Sequence, residues 1–82
     1  MADEDTQAII DFLNELSEDN TVPRNIKAKL QAVLEILKSG DDISTKVNKS
    51  LHELDEISND TNMQPYTRTQ IWHIVSLLEK LA

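Results

Sequence analysis

His52, Asp55, Glu56 and Asp60 are the nearest this sequence comes to a cluster of groups able to hold a metal or move a proton. His52 and Asp55 stand one helical turn apart, which puts an imidazole and a carboxylate on a single face. Two ligands at that spacing fall short of the three or four that zinc sites use. An acidic helix exposing its polar face is the reading the pattern favours. His73, beside Trp72, reads as a surface residue. Other chemistries fail on composition. The chain has no cysteine and therefore no thiolate, and it contains no G-x-S-x-G. Gly40 is the only glycine, whereas a phosphate-cradling loop needs close backbone approach at several points. The expectation is a chain that is not an enzyme and has no catalytic, metal or cofactor site.

Charge bounds the binding functions. Fifteen acidic and eight basic residues give a net −7. Residues 1–23 contain Asp3, Glu4, Asp5, Asp11, Glu15, Glu18 and Asp19 with no Lys or Arg, so this stretch carries the whole excess. Such a chain cannot coat nucleic acid through bulk charge, because that mode needs many cations to neutralise phosphates. A local patch remains open: Arg24, Lys27 and Lys29 on a second helical segment, with Arg68 at the matching point of a fourth. The competing reading pairs Arg24 with Glu18 or Asp19, and Arg68 with Asp60, as screened surface contacts. No aromatic stands among these cations to stack a base.

Aromatic and off-stripe apolar residues mark a third possibility. Trp72 lies about 100° round the helix from Ile71, on the flank of the apolar stripe. Its placement fits either the side of a core or an exposed anchor for a partner, where tryptophan is the commonest hot spot. Tyr66, Ile36 and Leu77 complete the candidate interaction set, the last two also lying off their stripes. The function expected is a protein-interaction or self-associating module, with a nucleic-acid or ribonucleoprotein accessory factor as the alternative.

These side chains need elements to position them, and the composition supplies helices. At 82 residues and 9.3 kDa the chain makes one domain over 1–82. One glycine and two prolines leave little material for β-turns. Apolar residues recur at three and four in four segments: Ile9, Phe12, Leu13, Leu16; Ile26, Leu30, Val33, Leu34, Leu37; Ile43, Val47, Leu51, Leu54, Ile57; and Ile71, Ile74, Val75, Leu78, Leu81. The spacing predicts helices over about 5–18, 23–39, 43–58 and 65–81, and allows the acidic first few residues to be disordered. Asp5 or Thr6 is the expected first cap, and Asp41 or Asp42 the third. Pro23 and Pro65 suit first turns, and Gly40 suits a left-handed helix end. Loops this short force neighbouring helices antiparallel, giving an all-α, up-and-down four-helix bundle. The Met-Ala-Asp-Glu-Asp start, the lack of a ~20-residue apolar run and the absence of cysteine predict a cytoplasmic protein without membrane contact.

An internal repeat organises the bundle. Leu13-Asn-Glu-Leu-Ser-Glu-Asp19 and Leu54-Asp-Glu-Ile-Ser-Asn-Asp60 agree at four of seven positions at a shift of 41. The same shift places Leu30 on Ile71, Val33 on Ile74 and Leu37 on Leu78. Two duplicated helical hairpins are therefore expected. Asp19 and Asp60 should do equivalent work, accepting backbone N–H groups at the starts of the helices that follow.

Three motifs carry a resemblance. Val22-Pro23-Arg24-Asn25, Leu54-Asp55-Glu56-Ile57-Ser58-Asn59-Asp60 and Arg68-Thr69-Gln70-Ile71-Trp72 resemble the signatures of a family of short, uncharacterised archaeal proteins, over about residues 11 to 79. The resemblance implies a compact up-and-down four-helix bundle akin to the bromodomain fold, and brings no activity. The family's loop reads Asp-Pro-Asn-Met-Pro, from which Thr61 and Gln64 depart at both prolines. Asp19 to Arg24 is also similar to the inter-helix turn of HEAT repeats, which implies a HEAT-like hairpin pair as the alternative fold.

Overall fold

In the computed structural model, which describes the backbone of residues 2–81 and the side chains of residues 5–81, the chain folds as four helices. They are α1 (Ala2–Glu18), α2 (Arg24–Lys38), α3 (Ile43–Ser58) and α4 (Pro65–Leu81), and no strand occurs among the described residues. Each helix packs on the next, and α4 returns to pack on α1, while the diagonal pairs stay apart. This closed ring is an up-and-down bundle of 33 × 20 × 18 Å. An open, HEAT-like hairpin pair would leave α1 and α4 unpaired, so that alternative is excluded.

The core repeats at the expected shift. Leu13 and Leu54, Leu16 and Ile57, Leu30 and Ile71, Val33 and Ile74, and Leu37 and Leu78 are buried pair by pair. Burial extends into the loops, where Val22 and Met63, also 41 apart, both point inward. Two pairs match in burial and differ in chemistry: Ser50 occupies the place of Ile9, and Thr67 that of Ile26. The Ser50 hydroxyl makes no hydrogen bond. A buried donor left unpaired keeps its desolvation penalty, so Ser50→Ala is expected to stabilise the fold by about 1 kcal/mol, read as a raised urea midpoint. A lowered midpoint would mean that the hydroxyl is satisfied in solution.

The loops at one end of the bundle show the duplication in hydrogen bonds. Asp19 N–H donates to Leu16 O at 3.2 Å and Asp60 N–H to Ile57 O at 3.1 Å. Thr21 N–H reaches Asp19 Oδ1 at 2.9 Å, and Asn62 N–H reaches Asp60 Oδ1 at 2.8 Å. Lys27 N–H donates to Pro23 O and Arg68 N–H to Gln64 O, each at 3.0 Å. Pro23 thus stands just outside α2 as its N-cap, and Gln64 holds the equivalent place before α4. Pro65 is the first residue of α4, as its missing N–H favours. The two aspartates act as a pair, but within the loops: each carboxylate closes a turn two residues ahead rather than capping the following helix.

Three end signals differ from expectation. Helix α1 begins at Ala2, which puts Asp5 and Thr6 inside it rather than at its cap. Carboxylates near a helix N-terminus favour such an early start. The acidic first few residues, which the sequence allows to be disordered, have helical backbone from Ala2 onward; the side chains of residues 2–4 lie outside the described residues, as do Met1 and Ala82. Gly40 is not a left-handed cap, because no glycine has a positive φ. Helix α2 ends instead at Ser39 in extended conformation, whose N–H and Oγ both donate to Ile36 O, at 3.1 and 2.7 Å. Asp42 is the N-cap residue of α3 by position, but its carboxylate binds the Thr45 hydroxyl at 2.6 Å rather than a first-turn amide.

Candidate docking surface

Trp72 stands on the outer face of α4 with 57% of its surface exposed. A tryptophan at that exposure leaves apolar area in water that a core residue would have buried. It borders an open groove of about 490 Å³ between α3 and α4, whose apolar floor is Leu51, Leu54 and Val75. Leu54 is fully buried, and Leu51 and Val75 are half-buried against the core. Polar walls are formed by Asn48, His52 and Asp55 of α3 and by Glu79 of α4. Helical periodicity makes the groove: Leu51 and Asp55 align one turn apart on α3, as do Trp72, Val75 and Glu79 on α4.

The other candidate interaction residues do not join Trp72. Tyr66, 64% exposed, stands beside Phe12, Glu15 and Asp19 at the α1–α4 seam. Leu77 packs partly into the core along the same seam, near Asp5, Ala8 and Lys80. Tyr66 and Leu77 are eleven residues apart, about three turns, and so share the α1 side, whereas Trp72 is turned toward α3. Ile36 is half-buried on α2. Sequence spacing groups these four by hydrophobicity alone. It does not reveal the groove, because the floor belongs to the regular apolar stripes.

The basic set is divided in the same way. The ammonium of Lys29 donates to Glu53 at 2.8 Å and also to Glu56, which turns it toward α3, away from Arg24 and Lys27. Arg68 Nη2 donates to the carbonyl of Asp60 at 3.1 Å and clamps its own loop. The expected pairing with the Asp60 carboxylate does not form, since Asp60 Oδ2 accepts from Asn25 Nδ2 at 2.6 Å. Arg24 stays exposed at the start of α2, with Lys27 near Asp19. No continuous patch of four cations results.

Near the groove His52 Nε2 meets Glu56 Oε1 at 3.2 Å, one turn along α3. Among the described residues, no group of three His, Cys, Asp or Glu side chains is arranged to hold a metal ion. His73, exposed, tilts its ring against Phe12 at 5.5 Å between centroids.

The charge contacts couple stability to pH. Hydrogen bonds from Lys29 hold Glu56 below the ordinary carboxylate range, and the hydroxyls of Thr21 and Thr45 do the same for Asp19 and Asp42. Glu53 and Glu56 in turn raise Lys29. A carboxylate lowered in the fold stabilises fully above its unfolded pKa of about 4 and loses that contribution as pH falls through the folded value. The raised lysine contributes fully below about 10.4 and loses its share as pH rises further. Urea midpoints are therefore expected to decline below about pH 4 and above about pH 10.4, with small amplitudes because these groups are exposed. A midpoint that climbs on acidification below pH ~4 would contradict the assignment.

These features describe a small helical bundle with an apolar groove beside an exposed tryptophan. Residues 1–81 match the model of the uncharacterised protein family UPF0147, and the chain belongs to that archaeal family. A UPF0147 protein of Methanocaldococcus jannaschii is 49% identical over 71 residues, covering 85% of this chain and 76% of that protein. The crystal structure of a UPF0147 protein from Thermoplasma acidophilum matches with a TM-score of 0.92 at 31% identity, over 98% of this chain and 95% of that one. A second crystal structure, of the unknown-function protein MMP1188, matches with a TM-score of 0.87 at 41% identity, over 92% and 86%. No helix among the described residues is long and apolar enough to cross a membrane.

Proposed function

We propose that this chain is a non-enzymatic protein-binding module whose docking surface is the α3–α4 groove beside Trp72. The observation that carries the reading is the exposure of Trp72 next to an apolar floor. A bundle of this size closes its core without that indole, so the ring's desolvation is reserved for a partner. Tryptophan beside a pocket is the commonest kind of interface anchor.

The nucleic-acid reading has less support. It needed Lys29 and Arg68 free to meet phosphates, and each is engaged within the fold. Paired capture tests the proposal: tagged wild type and Trp72→Ala are incubated with native-cell extract, and the retained proteins are compared after low-salt and high-salt washes. A partner kept by wild type through the high-salt wash and lost by Trp72→Ala is expected. Equal retention by both, or nuclease-sensitive retention that depends on Arg24 and Lys27, would overturn it.

A further inference from the structure

The groove's walls restrict what can occupy it. Asp55 and Glu79 line it from opposite helices, and no Lys or Arg lines it. Two cations of α3 and α2 are held in ion pairs within the fold: Lys49 pairs with Asp41 at 3.0 Å, and Lys29 pairs with Glu53 and Glu56. Arg68, one turn before Trp72 on the same face of α4, is clamped on the Asp60 carbonyl. An occupant therefore meets an apolar floor, two carboxylates and the open ring of an indole, whose π face attracts cations. A second copy would bring the same two carboxylates and a further net −7, which disfavours self-docking at this face.

On the protein-docking reading above, we infer that the occupant is a cationic amphipathic segment of another protein. Its apolar side chains fill the floor over Leu51, Leu54 and Val75, and its Lys or Arg residues meet Asp55, Glu79 and the face of Trp72. The long acidic surface of α1 adds attraction at a distance and speeds encounter with such a partner.

The probes are three synthetic helical peptides sharing one leucine stripe, with Lys, Gln or Glu at every other position. Trp72 is the only tryptophan in the chain, so its emission reports this groove alone. The Lys peptide is expected to shift Trp72 emission to the blue and to bind about tenfold tighter than the Gln peptide, with the Glu peptide weakest. Asp55→Asn with Glu79→Gln should remove that preference. Asp11→Asn with Glu18→Gln, which deletes the same charge from α1, should keep it. Circular-dichroism melts confirm that both double variants are folded. Equal binding of Lys and Gln peptides, both lost in Trp72→Ala, overturns the charge class while leaving the docking reading in place. Equal weakening by the two double variants overturns it too, since bulk charge then suffices. Emission that shifts with protein concentration alone points to self-association, and quenching by a single-stranded oligonucleotide but by no peptide points to nucleic acid; either outcome overturns the inference.

Discussion

Trp72→Ala is expected to leave the melting temperature nearly unchanged while weakening the partner contact about 30-fold, the effect of losing a hot spot of about 2 kcal/mol. The two halves of that result come from one number. With 57% of Trp72 exposed, truncation removes area that the folded monomer has not withdrawn from water. The ring borders an open groove, so its truncation leaves no enclosed cavity in the core. Had the indole been core, the same truncation would cost roughly 3–5 kcal/mol, enough to unfold much of so small a domain. A thermal melt and a binding isotherm on one pair of proteins distinguish the cases.

The second large effect lies beneath that groove. Leu54 is fully buried, and Leu54→Ala is expected to cost about 2–5 kcal/mol, a large fraction of the ~5–15 kcal/mol that holds a typical domain. Its counterpart 41 residues earlier, Leu13, is equally buried. If the bundle is two copies of one hairpin, Leu13→Ala should cost a similar amount, because each side chain meets an equivalent environment at the closed ring. Urea titrations of the two variants read this directly. A difference as large as the smaller of the two costs would show that the hairpins contribute unequally, and that the symmetry is one of backbone alone.

Much of this fold was legible because helical bundles write themselves in local spacing. The apolar stripes located four helices to within about three residues, and the shift of 41 predicted which core positions pair. Helix ends were less legible, since several residue types can end a helix. Gly40 looked like the obvious terminator, yet Ser39 ends α2 with its own hydroxyl and needs no positive φ. The burial of Ser50 and Thr67 is legible in the sequence: aligning Ser50 with Ile9 and Thr67 with Ile26 at the same shift marks both as core. Other features depend on which side chains from different helices meet. The capture of Lys29 by Glu53 and Glu56 is one, and it is not encoded in the spacing within a single helix. The separation of Trp72 from Tyr66 and Leu77, by contrast, follows from the spacing along α4 alone.

The proposed docking site is the α3–α4 face beside Trp72. Amide shift mapping of the isotopically labelled chain, titrated with the captured partner or the Lys peptide, tests it residue by residue. The largest changes are expected on Leu51, Asp55, Trp72, Val75 and Glu79, including the Trp72 indole N–H, with α1 and α2 little altered. Largest changes around Arg24 and Lys27 at the start of α2, with the Trp72 indole N–H unmoved, would contradict it.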